Sequence, residues 1–309
     1  MVMAATHGIR RMAVLGAGQM GSGIAYVAAV HARAHVVLYD KSSAQVTNGL
    51  ALLHKLLDKD VNKGRITKEQ AAEARERIVP LQMDGSGYTP LRDLDMVVEA
   101  VSENLSLKQK IFTQLAIDTN PSTILASNTS SISITKLAAA AIPESASAAS
   151  DAGLQSAGRV VGLHFFNPVP VMKLVELIPG LQTTSDTLSR VEGFARDCGK
   201  EVTKSRDVPG FIANALLMPF LNEAIMCLES GVATREDIDK TMRLGTNHPM
   251  GPLELADFIG LDTCLAIQQT LHTGTGDTKY RSSILLERMV DAGWLGRKSG
   301  RGFYEYPSK

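Results

Sequence analysis

From residue 12 to residue 178, short apolar runs alternate with stretches in which apolar residues return every three to four positions. The runs 12–16, 35–40, 95–99, 123–127, 160–166 and 174–178 predict strands, and residues 19–32, the pattern running to about Gly64, and 106–118 predict helices. Strands that alternate with helices in this way pair in parallel, because each crossover helix returns the chain to the end of the sheet from which the previous strand started. Beyond Asp207-Val208-Pro209-Gly210 the pattern becomes helical, over 211–230, 234–245, 261–272 and 284–292. A length of 309 residues exceeds what one hydrophobic core usually organises. The predicted organisation is therefore an α/β domain with a mainly parallel sheet over residues 1–207, followed by a smaller all-helical domain over 208–309.

Two stretches stand apart from this pattern. The helix expected from Phe211 to Leu228 is apolar nearly all round, so it needs cover on most sides, from its own domain or from a second copy of the chain; a homodimer is the simplest cover. Residues 138–158 are rich in Ala and Ser, with Pro143, Gly153 and few large apolar groups, and read as a flexible surface loop.

Composition narrows the functional classes. Hydrophobic residues at 44% and charged residues at 21% describe an ordinary folded chain. Lys plus Arg and Asp plus Glu are both 32, so net charge offers no case for nucleic acid or an anionic membrane surface. Cys198, Cys227 and Cys264 are scattered singly, without CxxC or Cys/His metal spacing, which predicts neither disulfides nor zinc and suits a reducing compartment. No apolar run is long enough to span a bilayer, residues 1–11 lack a secretory apolar core, and the final Pro-Ser-Lys lacks the Leu of a peroxisomal address. The expectation is an intracellular protein, mitochondrial or cytoplasmic.

The first chemical signal lies between the first two strands. Gly16-Ala17-Gly18-Gln19-Met20-Gly21 matches GxGxxG, in which the first Gly permits a tight turn, the second lets a pyrophosphate approach the backbone, and the third packs helix on strand. A bare GxGxxG is a weak signal, but this one follows a strand, opens a helix and precedes Asp40 at the end of the next strand, where a carboxylate accepts a ribose 2′-hydroxyl. The context predicts a Rossmann-type domain, and the carboxylate favours NAD over NADP although Lys41 is adjacent.

Of the seven histidines, only His164 falls late in a strand-like run. The carboxyl ends of strands in an open α/β sheet face the ligand crevice, so a strand-end imidazole suits proton transfer; a satisfied structural histidine is the other reading. Glu176 lies in the next apolar run, where it either pairs with an imidazole nitrogen or faces solvent from an edge strand.

Six stretches together carry a family resemblance over nearly the whole chain: residues 98–104 (VEAVSEN), 127–131 (SNTSS), His164 through Glu176, 207–214 (DVPGFIAN), 248–252 (HPMGP) and 298–304 (KSGRGFY). In these the chain resembles the L-3-hydroxyacyl-CoA dehydrogenases. The resemblance implies oxidation of an (S)-3-hydroxyacyl-CoA thioester to the 3-ketoacyl-CoA with NAD, a step of fatty acid β-oxidation. It makes His164 the general base, Glu176 its orienting partner, and Ser130 and Asn214 the groups that bind substrate oxygens, one from each domain. It adds Glu103, Lys108, Ser130, Asn167 and Lys298 to the Gly-rich loop and Asp40 as cofactor contacts. Without the motif, Lys108 and Lys298 would read as solvated surface charges.

Lys55, Lys59 and Lys63 recur at helical spacing after Asp40, with Arg65 and Lys68 continuing the basic cluster, either as an ordinary solvated face or as an attractor for the phosphates of coenzyme A. By the resemblance, Lys63 and Ser130 contact the CoA substrate. Leu56 stands where the family often has Ser. Two other readings of the chain are a dehydrogenase of a free hydroxy acid such as L-gulonate, and an NAD-binding protein whose catalysis has lapsed.

Overall fold

The computed structural model describes residues 7–81 and 87–307, so the readings made on residues 1–6 and on the last two residues lie outside it. The chain divides into two compact units, Met1–Asp207 and Val208–Lys309.

In the first unit the strands are β1 (Arg11–Leu15), β2 (His35–Tyr39), β3 (Ile78–Leu81), β4 (Met96–Glu99), β5 (Ile124–Ser127), β6 (Val160–Phe165), β7 (Leu174–Pro179) and β8 (Glu201–Lys204). They form one sheet in the order β3-β2-β1-β4-β5-β6-β7-β8. Every pairing is parallel except β6 with β7. Strands β4, β5 and β6 are buried along their whole length, as expected of central strands covered on both faces, and their near-continuous apolar runs were legible for that reason. The edge strands β3 and β8 were not foreseen. Their sequences, Ile-Val-Pro-Leu and Glu-Val-Thr-Lys, expose most residues, and Pro80 is tolerated because an edge strand leaves one side of its backbone unpaired.

The helices are α1 (Gln19–Val30), α2 (Ser43–Asn62), α3 (Lys68–Arg77), α4 (Leu105–Asp118), α5 (Ile134–Ala140), α6 (Asp151–Gly158) and α7 (Ser185–Asp197). Helix α1 lies against β1 because Gly21 has no side chain: a Cβ there would stand 1.8 Å from the Gly16 carbonyl oxygen. The Ala/Ser-rich stretch is corrected by the structure, since it contains the end of α5 and the whole of α6. Ser150 caps α6 by accepting the Gly153 N–H at 3.2 Å, and Gly153, Ser156, Ala157 and Gly158 are buried. Small side chains let the backbone pack closely here, and that kind of burial leaves no apolar periodicity to read. The last residue of the unit, Asp207, grips α5: Oδ1 accepts the Ile134 N–H at 2.9 Å, and Oδ2 accepts the Thr135 N–H and the Ser133 hydroxyl, both at 2.8 Å.

The second unit is helical: α8 (Ala213–Glu229), α9 (Arg235–Gly245), α10 (Pro252–Ile259), α11 (Leu261–Thr275) and α12 (Ile284–Asp291). Its core gathers Met218, Leu221 and Ile225 with Leu253, Leu261, Leu271 and Met289. Helix α10 was missed because Gly251 before it, Pro252 at its first position and Gly260 after it suggest turns; Gly260, at φ 104°, breaks α10 from α11. Helix α8 buries one face and leaves Leu216 69% exposed. No helix among the described residues is long and apolar enough to cross a membrane.

Gly21→Ala is expected to lower the unfolding free energy by about 1–3 kcal/mol or more, read from the urea midpoint. At Gly18, where a Cβ meets nothing within 4 Å, the same substitution should leave that midpoint nearly unchanged.

Candidate active site

The glycine loop and the tip of β2 build the first part of the site. Gly18 is the N-cap of α1 and no side chain caps that helix, so its first-turn N–H groups are left for an anion. The open space beside Gly18 is a cradle that a larger residue would fill. Asp40 stands just past β2, where Oδ2 accepts the Ala17 N–H and Oδ1 the Ser42 N–H, each at 3.0 Å. A bare helix N-terminus, an open approach to the backbone and a carboxylate at the next strand tip fit the pyrophosphate and ribose of NAD.

The second part lies at the ends of β4 and β5. Glu99 closes β4 fully buried; its Oε1 accepts from Lys108 Nζ at 2.6 Å and from the Val101 N–H at 2.7 Å, and its Oε2 accepts from the Ser127 hydroxyl at 2.7 Å. Lys108 is only 1% exposed, which excludes the alternative reading of it as a solvated surface charge. It lies on the inner face of α4 and also approaches Glu103 Oε2 at 3.4 Å. Glu103 Oε1 in turn accepts the N–H groups of Ser130 and Ser131 at 3.0 and 3.2 Å, together with the hydroxyls of Thr129 and Ser131. A chain of compensated charges therefore runs from the sheet interior to the segment that carries Ser130.

His164 and Glu176 form the third part. The antiparallel register of β6 and β7 sets the two residues directly opposite one another, so their side chains share one face of the sheet. His164 Nδ1 lies 2.8 Å from Glu176 Oε2, with His164 5% and Glu176 1% exposed. Of the two readings of Glu176, the solvent-facing one is excluded. The Phe166 ring packs on the imidazole at 4.6 Å between centroids, and Asn128 Oδ1 accepts the Phe165 N–H at 2.9 Å, fixing the end of β6 against the 127–131 segment. Asn167 follows, its Oδ1 accepting from Gln19 Nε2 at 2.9 Å, which joins this part to the first turn of α1.

Other expected positions fall elsewhere. Lys55 and Lys59 are exposed on α2, and Lys63 is its C-cap, also exposed. Arg65 does not simply extend that cluster, because NH1 turns to Asp60 Oδ1 at 3.1 Å. Leu56 is half-buried and packs on the core of the first unit. In the second unit, Asn214 is buried in the first turn of α8, and Lys298 Nζ donates to Asp262 Oδ2 at 2.6 Å.

Sequence reasoning missed the supporting roles of Glu99, Ser127 and Asn128. A signal was present for Glu99, since a carboxylate ending a wholly apolar run must be compensated if the run is a central strand. Nothing in the sequence showed that the compensating cation is Lys108.

The chain matches known proteins along nearly its whole length. Residues 11–208 match the NAD binding domain of 3-hydroxyacyl-CoA dehydrogenase, and residues 210–306 match its C-terminal domain. The chain is 47% identical over 301 residues to a probable 3-hydroxybutyryl-CoA dehydrogenase of Bacillus subtilis, covering 97% of this chain and 99% of that protein. It is 48% identical over 299 residues to the 3-hydroxybutyryl-CoA dehydrogenase of Bradyrhizobium diazoefficiens, covering 96% of each. The crystal structure of (S)-3-hydroxybutyryl-CoA dehydrogenase PaaH1 from Ralstonia eutropha superposes with a TM-score of 0.89 at 45% identity, covering 97% of this chain and all of that one. The chain belongs to the 3-hydroxyacyl-CoA dehydrogenase family and is an NAD-dependent 3-hydroxyacyl-CoA dehydrogenase.

Proposed function

We propose that His164 is the general base that takes the 3-hydroxyl proton of an (S)-3-hydroxyacyl-CoA thioester, with Glu176 as its orienting and charge-compensating partner. The observation that carries this reading is the buried contact of 2.8 Å between His164 Nδ1 and Glu176 Oε2. A carboxylate at Nδ1 holds the ring proton on that nitrogen and assigns proton acceptance to Nε2. As the hydroxyl proton reaches Nε2 the ring becomes an imidazolium, and Glu176, buried beside it, stabilises the charge in a medium where it would otherwise be costly. NAD, when bound, supplies the acceptor for the hydride that leaves carbon 3. Ser130 and Asn214 bind the substrate oxygens. Glu103, Lys108, Asn167 and Lys298 complete the cofactor contacts with the glycine loop and Asp40, and Ser130 serves both cofactor and substrate.

The same reading takes Lys63 as a contact for CoA phosphate, because it is an exposed cation at the end of α2. The cellular role it implies is the dehydrogenation step of fatty acid β-oxidation, run in reverse in short-chain synthesis. A homodimer completes the proposal: the exposed apolar side of α8, with Leu216 69% exposed, is the surface a second copy would bury.

Oxidation of NADH followed by absorbance should proceed with acetoacetyl-CoA and not with free acetoacetate; equal turnover of the free acid would exclude the thioester assignment. In the same assay His164→Ala is expected to lose roughly 10²- to 10⁴-fold in kcat, and an undiminished variant would remove His164 from the mechanism. Glu176→Gln keeps an oxygen near Nδ1 and deletes the charge, so its loss should fall in kcat, about 10²-fold or more, with substrate KM little changed. Sedimentation equilibrium should give twice the 33.1 kDa chain mass, reduced to the single-chain value by Leu216→Glu.

A further inference from the structure

Lys200 is a buried cation for which the hydride chemistry has no use. It follows Gly199 at the turn from α7 into β8 and is 7% exposed. Its Nζ donates to the Val169 carbonyl at 2.5 Å and to the Met172 carbonyl at 2.8 Å. Both partners are main-chain oxygens, and burial holds the ammonium pKa below the ordinary lysine range. Keeping a charge desolvated is costly, and convergent carbonyls offset that cost through charge-assisted hydrogen bonds.

The carbonyls belong to the turn joining β6 to β7, between His164 and Glu176. Pro168 and Pro170 carry no N–H, and the Pro168 carbonyl is used inside the turn, accepting from the Val171 and Met172 N–H groups at 2.9 and 3.0 Å. Strand β8 does not need Lys200, since the Glu201 N–H already bonds the Lys173 carbonyl at 2.8 Å and the β7–β8 ladder continues from there. The turn also rests on the bare backbone of α1: a Cβ added at Gly23 would lie 2.8 Å from Val169 Cβ. Close by, Gln19 on α1 holds Asn167. The dinucleotide helix, through Gly23, and the Lys200 ammonium both hold the turn.

We propose that Lys200 is a positioning residue for the dehydrogenase reaction: by clamping the 168–172 turn onto α1, it fixes Asn167 relative to the glycine loop and so sets how the bound dinucleotide lies against His164. The proposal rests on the assignment of Asn167 to the cofactor and of His164 to proton transfer.

The test uses the full-length enzyme, with the NADH dissociation constant measured by fluorescence titration without substrate, beside kinetics with acetoacetyl-CoA and a thermal melt. Lys200→Ala is expected to bind NADH more weakly and to lose about 10- to 100-fold in kcat/KM for NADH while still melting cooperatively, since displacements on the order of 1 Å carry costs of that size. Propylammonium, which replaces the atoms removed, should restore part of the loss, and neutral 1-propanol should not. Gly23→Ala pushes on the same turn through Val169 and should also weaken NADH binding, giving a second test should Lys200→Ala fail to fold. Wild-type NADH affinity in a folded Lys200→Ala, or in Gly23→Ala where the first does not fold, overturns the proposal, as does equal rescue by propanol. His164→Ala run in parallel separates the two readings: if it keeps wild-type turnover the proton-transfer assignment fails, while the NADH affinities still decide the role of Lys200.

Discussion

Several charged groups packed against the sheet are out of water, and each must therefore be compensated by another part of the chain. Glu99 and Lys108 are the deepest such pair, 0% and 1% exposed, at 2.6 Å. Removing one partner of a buried pair costs about 3–5 kcal/mol, because the remaining charge is stranded. The same demand governs His164 with Glu176 and Lys200 with its two carbonyls. Compensation ties these groups to fixed neighbours, so the condition that makes the sheet interior tolerable also determines the geometry available for chemistry.

The ties are not isolated. Glu99 reaches Ser127 on β5 and, through Lys108 and Glu103, the backbone of Ser130 and Ser131. Asn128 from that segment holds the end of β6 beside His164, and Asn167 beyond β6 returns to Gln19 on the dinucleotide helix. Within the first unit, the glycine loop, the 127–131 segment and the His164 pair thus share one connected set of polar contacts around the sheet's carboxyl edge. Rigid placement of this kind suits hydride and proton transfer, which depend on orientation more than on new bonds to the protein.

The second unit solves a similar problem with two carboxylates. Asp239 Oδ1 and Oδ2 cap α10 by accepting the Leu253 and Glu254 N–H groups at 2.8 and 3.0 Å. Asp257, whose pKa burial pushes up against the pull of its hydrogen bonds, accepts the Phe303 and Tyr304 N–H groups, both at 2.9 Å, and the Tyr306 hydroxyl at 3.0 Å. The terminal KSGRGFYEY stretch is therefore held by side chains more than by regular secondary structure. This explains why its aromatic residues gave no helix or strand signal.

The sequence by itself determined the parallel sheet, the glycine loop with Asp40, the helical second half and the pairing candidates His164 and Glu176. These are local: a wholly buried strand is a run of apolar residues, a phosphate loop is a spacing of glycines, and a helix is a period. Edge strands β3 and β8 and helix α6 escaped because exposed strands and Ala/Ser packing leave no such trace. Only the tertiary structure decided that Lys108 is interior, that Glu103 holds the Ser130 segment, that Arg65 turns to Asp60 and that Lys200 grips the turn between β6 and β7. A lysine or glutamate looks the same in sequence whether water or a carbonyl satisfies it, and which of them does depends on contacts between residues far apart in the chain.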